Sequence, residues 1–210
     1  MTRVLPAHSS AALTEAVKIL SRGGLVAFPT DTVYGLAAHP FRPGAVARLY
    51  AAKERPRDKP IALLLAAQDG LHEVARDIPE VVWPLVERFW PGGLTVVLWR
   101  KETIPDIVSA GGETVALRLP DHAVARHLIW ESGVPLAASS ANLSGRPDPV
   151  DAEEVRRYLS SRIDLLLDGG PCPGVPSTVV DFTVSPPRLL REGAIPKEEM
   201  AKYLPQLVSS

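Results

Sequence analysis

Short apolar runs constrain this chain most. They fall at residues 25–28, 61–65, 94–99, 114–119, 135–138, 163–167, 178–182 and 188–190, each three to six residues long. Runs this brief fit strands better than helices. Between them lie stretches with helical spacing. Residues 10–21 set Leu13, Ala16, Val17 and Leu20 on one face and stop at Gly23-Gly24. Residues 43–52, 80–89 (with Pro84 near the start), 123–130 and 151–159 (with Asp151 as N-cap) are also predicted helices. Alternation of this kind predicts an α/β protein, a twisted open mixed sheet with flanking helices.

Composition sets the remaining bounds. At 210 residues the chain is long enough for one domain that hides roughly 70% of its unfolded surface. We expect a single domain over 1–210, with its core at about 10–195 and a short tail at 196–210. The one cysteine, Cys172, excludes an internal disulfide and a multi-cysteine zinc module. A net charge of −1 argues against wholesale coating of nucleic acid and leaves a local basic patch open. There is no run of eighteen apolar residues and no basic, then apolar, N-terminal leader. The expectation is a cytoplasmic protein with no membrane contact. The 21 prolines are scattered and read as loop punctuation.

No Walker loop, dinucleotide fingerprint, zinc-protease motif or nucleophile elbow is present, and the five histidines show no metal-ligand spacing. Chemistry is therefore sought where polar residues gather at strand ends, the usual ligand position in sheet proteins. Thr30 and Thr32, after the strand at 25–28, offer two hydroxyls on one face if the segment stays extended; a local turn reads equally well. Residues 53–60, Lys-Glu-Arg-Pro-Arg-Asp-Lys-Pro, hold four cations and two anions, a net of +2. In an extended segment Lys53, Arg55, Arg57 and Lys59 would alternate onto one side and meet a triphosphate or an RNA backbone. A solvated loop is the plainer reading. Residues 139–145, Ser-Ser-Ala-Asn-Leu-Ser-Gly, follow another strand and could hold phosphate oxygens or a base edge. Arg118 stands inside an otherwise apolar strand and must be paired or face a cavity.

Taken together, Phe28-Pro-Thr-Asp-Thr-Val-Tyr-Gly-Leu36, Lys53-Glu-Arg-Pro56, Ser139-Ser-Ala-Asn-Leu-Ser-Gly145, Ser177-Thr-Val-Val-Asp181 and Leu190-Arg-Glu-Gly193 resemble the YrdC/TsaC family. The likeness spans roughly residues 10–195. It implies a YrdC-like sheet around a large, concave, electropositive cavity. It also implies a nucleotidyltransferase, an L-threonylcarbamoyladenylate synthase. Such an enzyme turns ATP, L-threonine and bicarbonate into threonylcarbamoyl-AMP and pyrophosphate, for N6-threonylcarbamoyladenosine in tRNA. Mg²⁺ would arrive with ATP, with no organic cofactor and no dedicated metal cage. By motif, Lys53, Arg55, Ser140 and Asn142 would be catalytic. Arg55, Lys59, Ala138, Ser140, Asp148 and Arg191 would bind ATP, and Thr32, Arg118 and Ser177 would bind threonine, with Thr30 beside them. Some relatives carry a histidine near threonine on the strand after the basic loop. Here that stretch reads Pro60-Ile-Ala-Leu-Leu-Leu65.

Longer relatives continue into a second domain, and this chain resembles the single-domain form. The family passes its product to a TsaD-type transferase complex. Two alternatives share the fold. One is a paralogue that grips double-stranded RNA or tRNA without this activity. The other is the carbamoyl-transfer domain of hydrogenase maturation proteins, whose zinc fingers one cysteine cannot supply.

Overall fold

A computed structural model describes residues 2–209. Along the chain the strands are β1 (Arg3–Pro6), β2 (Val26–Phe28), β3 (Gly35–Ala38), β4 (Ala62–Leu64), β5 (Ala75–Arg76), β6 (Leu94–Arg100), β7 (Thr114–Arg118), β8 (Leu136–Ser140), β9 (Leu165–Asp168), β10 (Thr178–Asp181), β11 (Arg188–Arg191) and β12 (Val208–Ser209). The helices are α1 (Ser10–Ser21), α2 (Ala45–Lys53), α3 (Leu71–Val74), α4 (Trp83–Phe89), α5 (Asp106–Ser109), α6 (Ala123–Ser132), α7 (Ala152–Leu159) and α8 (Lys197–Ala201).

The caps explain several boundaries. Ser9 accepts from the Ala12 amide to start α1, and Asp151 accepts from Glu154 at 2.8 Å to start α7. Gly24 lets the chain leave α1 closely, since a Cβ there would lie 2.4 Å from Ile19 Cγ2. Pro84 sits in the first turn of α4, where its missing N–H has no helical partner to lose.

The strands form one mixed sheet in the order β1-β9-β2-β3-β8-β4-β7-β6-β10-β11-β12, with β5 on β6. Antiparallel β3 and β8 sit in its middle, so both faces need cover. On one face α1 and α6 pack over Val26, Phe28, Ala37, Leu64, Leu136 and Leu165. The larger core, with Tyr34, Leu36, Leu49, Tyr50, Leu63, Leu117 and Val180, fills the other face.

Register decides which residues share a face. Leu136 lies opposite Leu64, Leu64 opposite Arg118, Arg118 opposite Thr95, Thr95 opposite Val179 and Val179 opposite Arg191. Directly paired residues point the same way. Arg118, Thr95 and Arg191 therefore stand on the same face of the sheet as the α1–α6 pair. Ser140 and Ala138, at even spacing from Leu136 in β8, share it.

Two segments differ from expectation. Residues 53–60 are not extended. Lys53 ends α2, Glu54 turns in the left-handed region at φ 51°, and the Lys59 amide returns to the Pro56 carbonyl. Prolines at 56 and 60 favour such a turn over a strand. Lys53 is thereby buried while Arg57 and Lys59 stay exposed, so the four cations share no side. The segment after β2 also bends rather than running straight, because the Thr30 hydroxyl donates to the Val33 carbonyl at 2.6 Å.

Candidate functional site

Arg118 organises the first half of the site. As the last residue of β7, its Nε donates to the Gly92 carbonyl at 3.0 Å. Nη1 donates to Thr32 Oγ1 at 2.8 Å and Nη2 to Asp31 Oδ1 at 2.6 Å. The Asp31 and Arg118 side chains are only 15% and 10% exposed. A pair this buried persists because each charge answers the other. The structural-pair reading of Arg118 is thus correct, and it does not exhaust the group. A guanidinium has five N–H donors; three are engaged, leaving one on each terminal nitrogen.

Around that fork stand hydroxyls. Thr32 is buried and its Oγ1 lies 3.0 Å from Thr30 Oγ1. Ser177, just before β10, has its hydroxyl 2.8 Å from Thr95 Oγ1. Arg191 Nη2 donates to Ser177 Oγ at 3.1 Å and its Nε to the Ser177 carbonyl at 3.0 Å. Partial burial lowers the Arg191 pKa; Asp148 opposes the shift and Arg118 reinforces it. Arg191 thus shares one electrostatic field with both.

Lys53 organises the second half. It is 1% exposed. Its ammonium donates to the Ser140 carbonyl, to the Asn142 carbonyl at 2.8 Å and to Asn142 Oδ1 at 3.0 Å. Ser140 Oγ donates to the same Oδ1 at 2.7 Å. Asn142 Nδ2 donates to the Arg146 carbonyl at 2.5 Å and lies 3.3 Å from Asp148 Oδ1. Burial, helped by the charge of Arg55, lowers the Lys53 pKa from 10.5 to about 7, and Asp148 works against that fall.

Tyr34 ties the halves together. Its amide donates to the Pro149 carbonyl at 2.9 Å and its carbonyl accepts from Ala141 at 2.8 Å. Its hydroxyl donates to the Gly170 carbonyl at 2.8 Å and accepts from the Gly169 amide at 3.1 Å. Burial pushes that hydroxyl up to about 12, so it stays a donor.

The expected site residues fare unevenly. Thr32 and Arg118 are joined by a direct bond, as are Ser177 and Arg191, while Lys53, Ser140, Asn142 and Asp148 form one bonded chain. Ala138 lies on the same face of β8 as Ser140, two residues earlier, and brings no polar side chain. Arg55 holds its own loop, donating to the carbonyls of Lys59 at 3.0 Å and Pro60 at 2.9 Å. Lys59 is exposed. Sequence reading missed Asp31, Tyr34 and Thr95 as site-forming residues. Thr95 had a signal, a hydroxyl one residue into an apolar strand. Among the described residues no group of three or more His, Cys, Asp or Glu could hold a metal. Near Lys53 the Ser140 hydroxyl and the Asp148 carboxylate are hard donors that suit a magnesium ion already bound by phosphates, whereas the Asn142 oxygens are taken by Lys53 and Ser140.

A buried guanidinium ringed by hydroxyls suits a small carboxylate; a cationic, oxygen-rich turn beside it suits phosphate. The family model Sua5/YciO/YrdC, described as "Telomere recombination", matches residues 18–193. A threonylcarbamoyl-AMP synthase of Pyrococcus abyssi is 44% identical over 91% of this chain and 57% of its own length. One from Bacillus subtilis is 45% identical over 90% and 55%. This chain therefore spans somewhat over half the length of these relatives. The crystal structure of P. abyssi Sua5 complexed with L-threonine superposes with a TM-score of 0.95 at 40% identity, covering 100% of this chain and 62% of that one.

Proposed function

Because this chain belongs to the Sua5/YciO/YrdC family, we propose that it converts L-threonine, bicarbonate and ATP into threonylcarbamoyl-AMP, pyrophosphate and water. The nitrogen of threonine is carboxylated by bicarbonate with loss of water. An oxygen of that carbamate then attacks the α-phosphorus, and pyrophosphate leaves. The reaction is a nucleotidyl transfer in which the protein's task is to hold reactants and neutralise charge. The proposed compartment is the cytoplasm, and the consumer is a TsaD-type transferase that modifies tRNA.

The observation that carries this reading is the placement of Arg118, Thr95, Arg191 and Ser140 on one face of the sheet, with Ser177 bonded to two of them. The two free N–H groups of Arg118 would take the threonine carboxylate, as a lysine could not. The hydroxyls of Thr32 and Ser177 flank that position. The Lys53–Ser140–Asn142 turn and Arg191 would meet the nucleotide, and Lys59 its outer phosphates. Mg²⁺, when bound, would neutralise phosphate charge, with Ser140 and Asp148 as the nearby oxygens.

Pyrophosphate release tests the proposal. It should require threonine, bicarbonate and ATP together and fall to background when any one is omitted. Release that is indifferent to threonine would refute it.

A further inference from the structure

We propose that Asp31 is the acceptor for the substrate's ammonium group, so that Asp31 and Arg118 form a matched receptor for a zwitterionic α-amino acid. This inference rests on the threonine reading above and adds a residue that neither the motifs nor the comparisons assign.

The geometry leaves the ion pair half-finished on both sides. Asp31 Oδ1 accepts from Arg118 at 2.6 Å, while Oδ2 makes no hydrogen bond among the described residues. Burial chiefly raises the pKa of the Cys172 thiol, and the Thr30 backbone hydrogen bond that opposes the rise is one its sulfur accepts. His122 lies in the field of Asp31, yet no hydrogen bond joins them, and its Nδ1 is buried without a partner. On the other side Arg118 keeps one free N–H on each terminal nitrogen, since only three donors are used.

The second oxygen of this mostly buried carboxylate stays open to solvent, where a ligand's donor can take the place of water. A carboxylate alone would complete Arg118 and crowd Asp31. An amine alone would do the reverse. An α-amino acid carries both charges on neighbouring atoms and completes both. The hydroxyls of Thr32 and Ser177 beside the pair would then read its side chain.

A double-mutant cycle tests this, with binding measured by NMR shift titration and no turnover required. The ligands are L-threonine and its desamino analogue, 3-hydroxybutanoate; the proteins are wild type and Asp31→Asn. In wild type, loss of the ammonium should weaken binding at least tenfold. In Asp31→Asn the same loss should matter less than threefold. If Asp31 merely placed Arg118, the substitution would weaken both ligands equally, and that result would overturn the proposal. Unchanged threonine binding by Asp31→Asn would overturn it too. Wild type that binds no threonine would instead sink the underlying threonine reading. Should Asp31→Asn not fold, Asp31→Glu runs the same cycle with the carboxylate displaced by one methylene, and a reduced ammonium preference is expected.

Discussion

Lys53 and Asn142 hold each other across 89 positions of sequence: the ammonium donates to Oδ1 at 3.0 Å and to the carbonyl at 2.8 Å. Three oxygen acceptors favour the charged amine, burial disfavours it, and the pKa settles at about 7 against an ordinary 10.5. The folded chain therefore binds fewer protons than the unfolded chain between those values. The resulting cost to stability is present in full below about pH 7 and fades as pH rises toward 10.5. A bound triphosphate would restore the charge. Binding of ATP near pH 8 should take up close to one proton, and uptake should vanish below about pH 6. Calorimetry in buffers of differing ionisation heat reads this directly. Lys53→Met should abolish the uptake; its persistence would place the proton elsewhere.

Arg118→Lys keeps the charge and loses the fork. A lysine cannot serve Gly92, Thr32 and Asp31 together while offering two parallel donors outward. Losing one charge-assisted contact costs about 1.5–3 kcal/mol, roughly ten- to a hundredfold. The effect should appear in KM for threonine, with KM for ATP changed less than threefold.

Arg55 and Lys59 are expected to separate. Arg55 fastens the loop through the Lys59 and Pro60 carbonyls, so Arg55→Ala should lower both Tm and activity, the latter well over tenfold. The Lys59 side chain is exposed and makes no bond among the described residues, so Lys59→Ala should leave Tm in place and weaken ATP about three- to tenfold, less so at high salt. A Tm loss in Lys59→Ala would contradict this division.

Thr178 anchors the strand pair that carries Ser177 and Arg191. Its buried hydroxyl donates to the Ile195 carbonyl at 2.6 Å and accepts from the amides of Gly193 at 3.0 Å and Ile195 at 2.9 Å. Thr178→Val preserves shape and strands those groups. The expected loss is about 2–3 kcal/mol, or roughly 5–10 °C in Tm. Gly193→Ala should act on the same joint more severely, because a Cβ there would lie 2.2 Å from the Pro176 carbonyl oxygen. Scanning calorimetry of both variants checks the ranking.

Much of this was legible before any coordinates. Short apolar runs located eight of the strands, β2, β4 and β6 to β11, within a residue or two, and the sequence also marked Asp151 as a cap. Polar strand ends pointed to Thr32, Ser140, Asn142 and Ser177, and the oddity of a buried arginine pointed to Arg118. What escaped depended on long-range pairing. β3 hides in Gly-Leu-Ala-Ala, small residues with little strand preference, and forms because β2 and β8 flank it. The basic loop looked extended because alternation of charge mimics a strand, whereas its two prolines and the turn at Glu54 decide otherwise. Asp31 and Thr95 looked like ordinary turn and strand residues until register set them beside Arg118 and Ser177.

The bonds that define the site bridge 82, 86 and 89 positions of sequence, from Thr95 to Ser177, Thr32 to Arg118 and Lys53 to Asn142. The site is complete only when residues from Thr30 to Arg191 are all in place. Recognition of a ligand is therefore a property of the completed sheet. A bound amino acid or nucleotide would suppress amide exchange from β3 through β11 together, rather than quieting one loop.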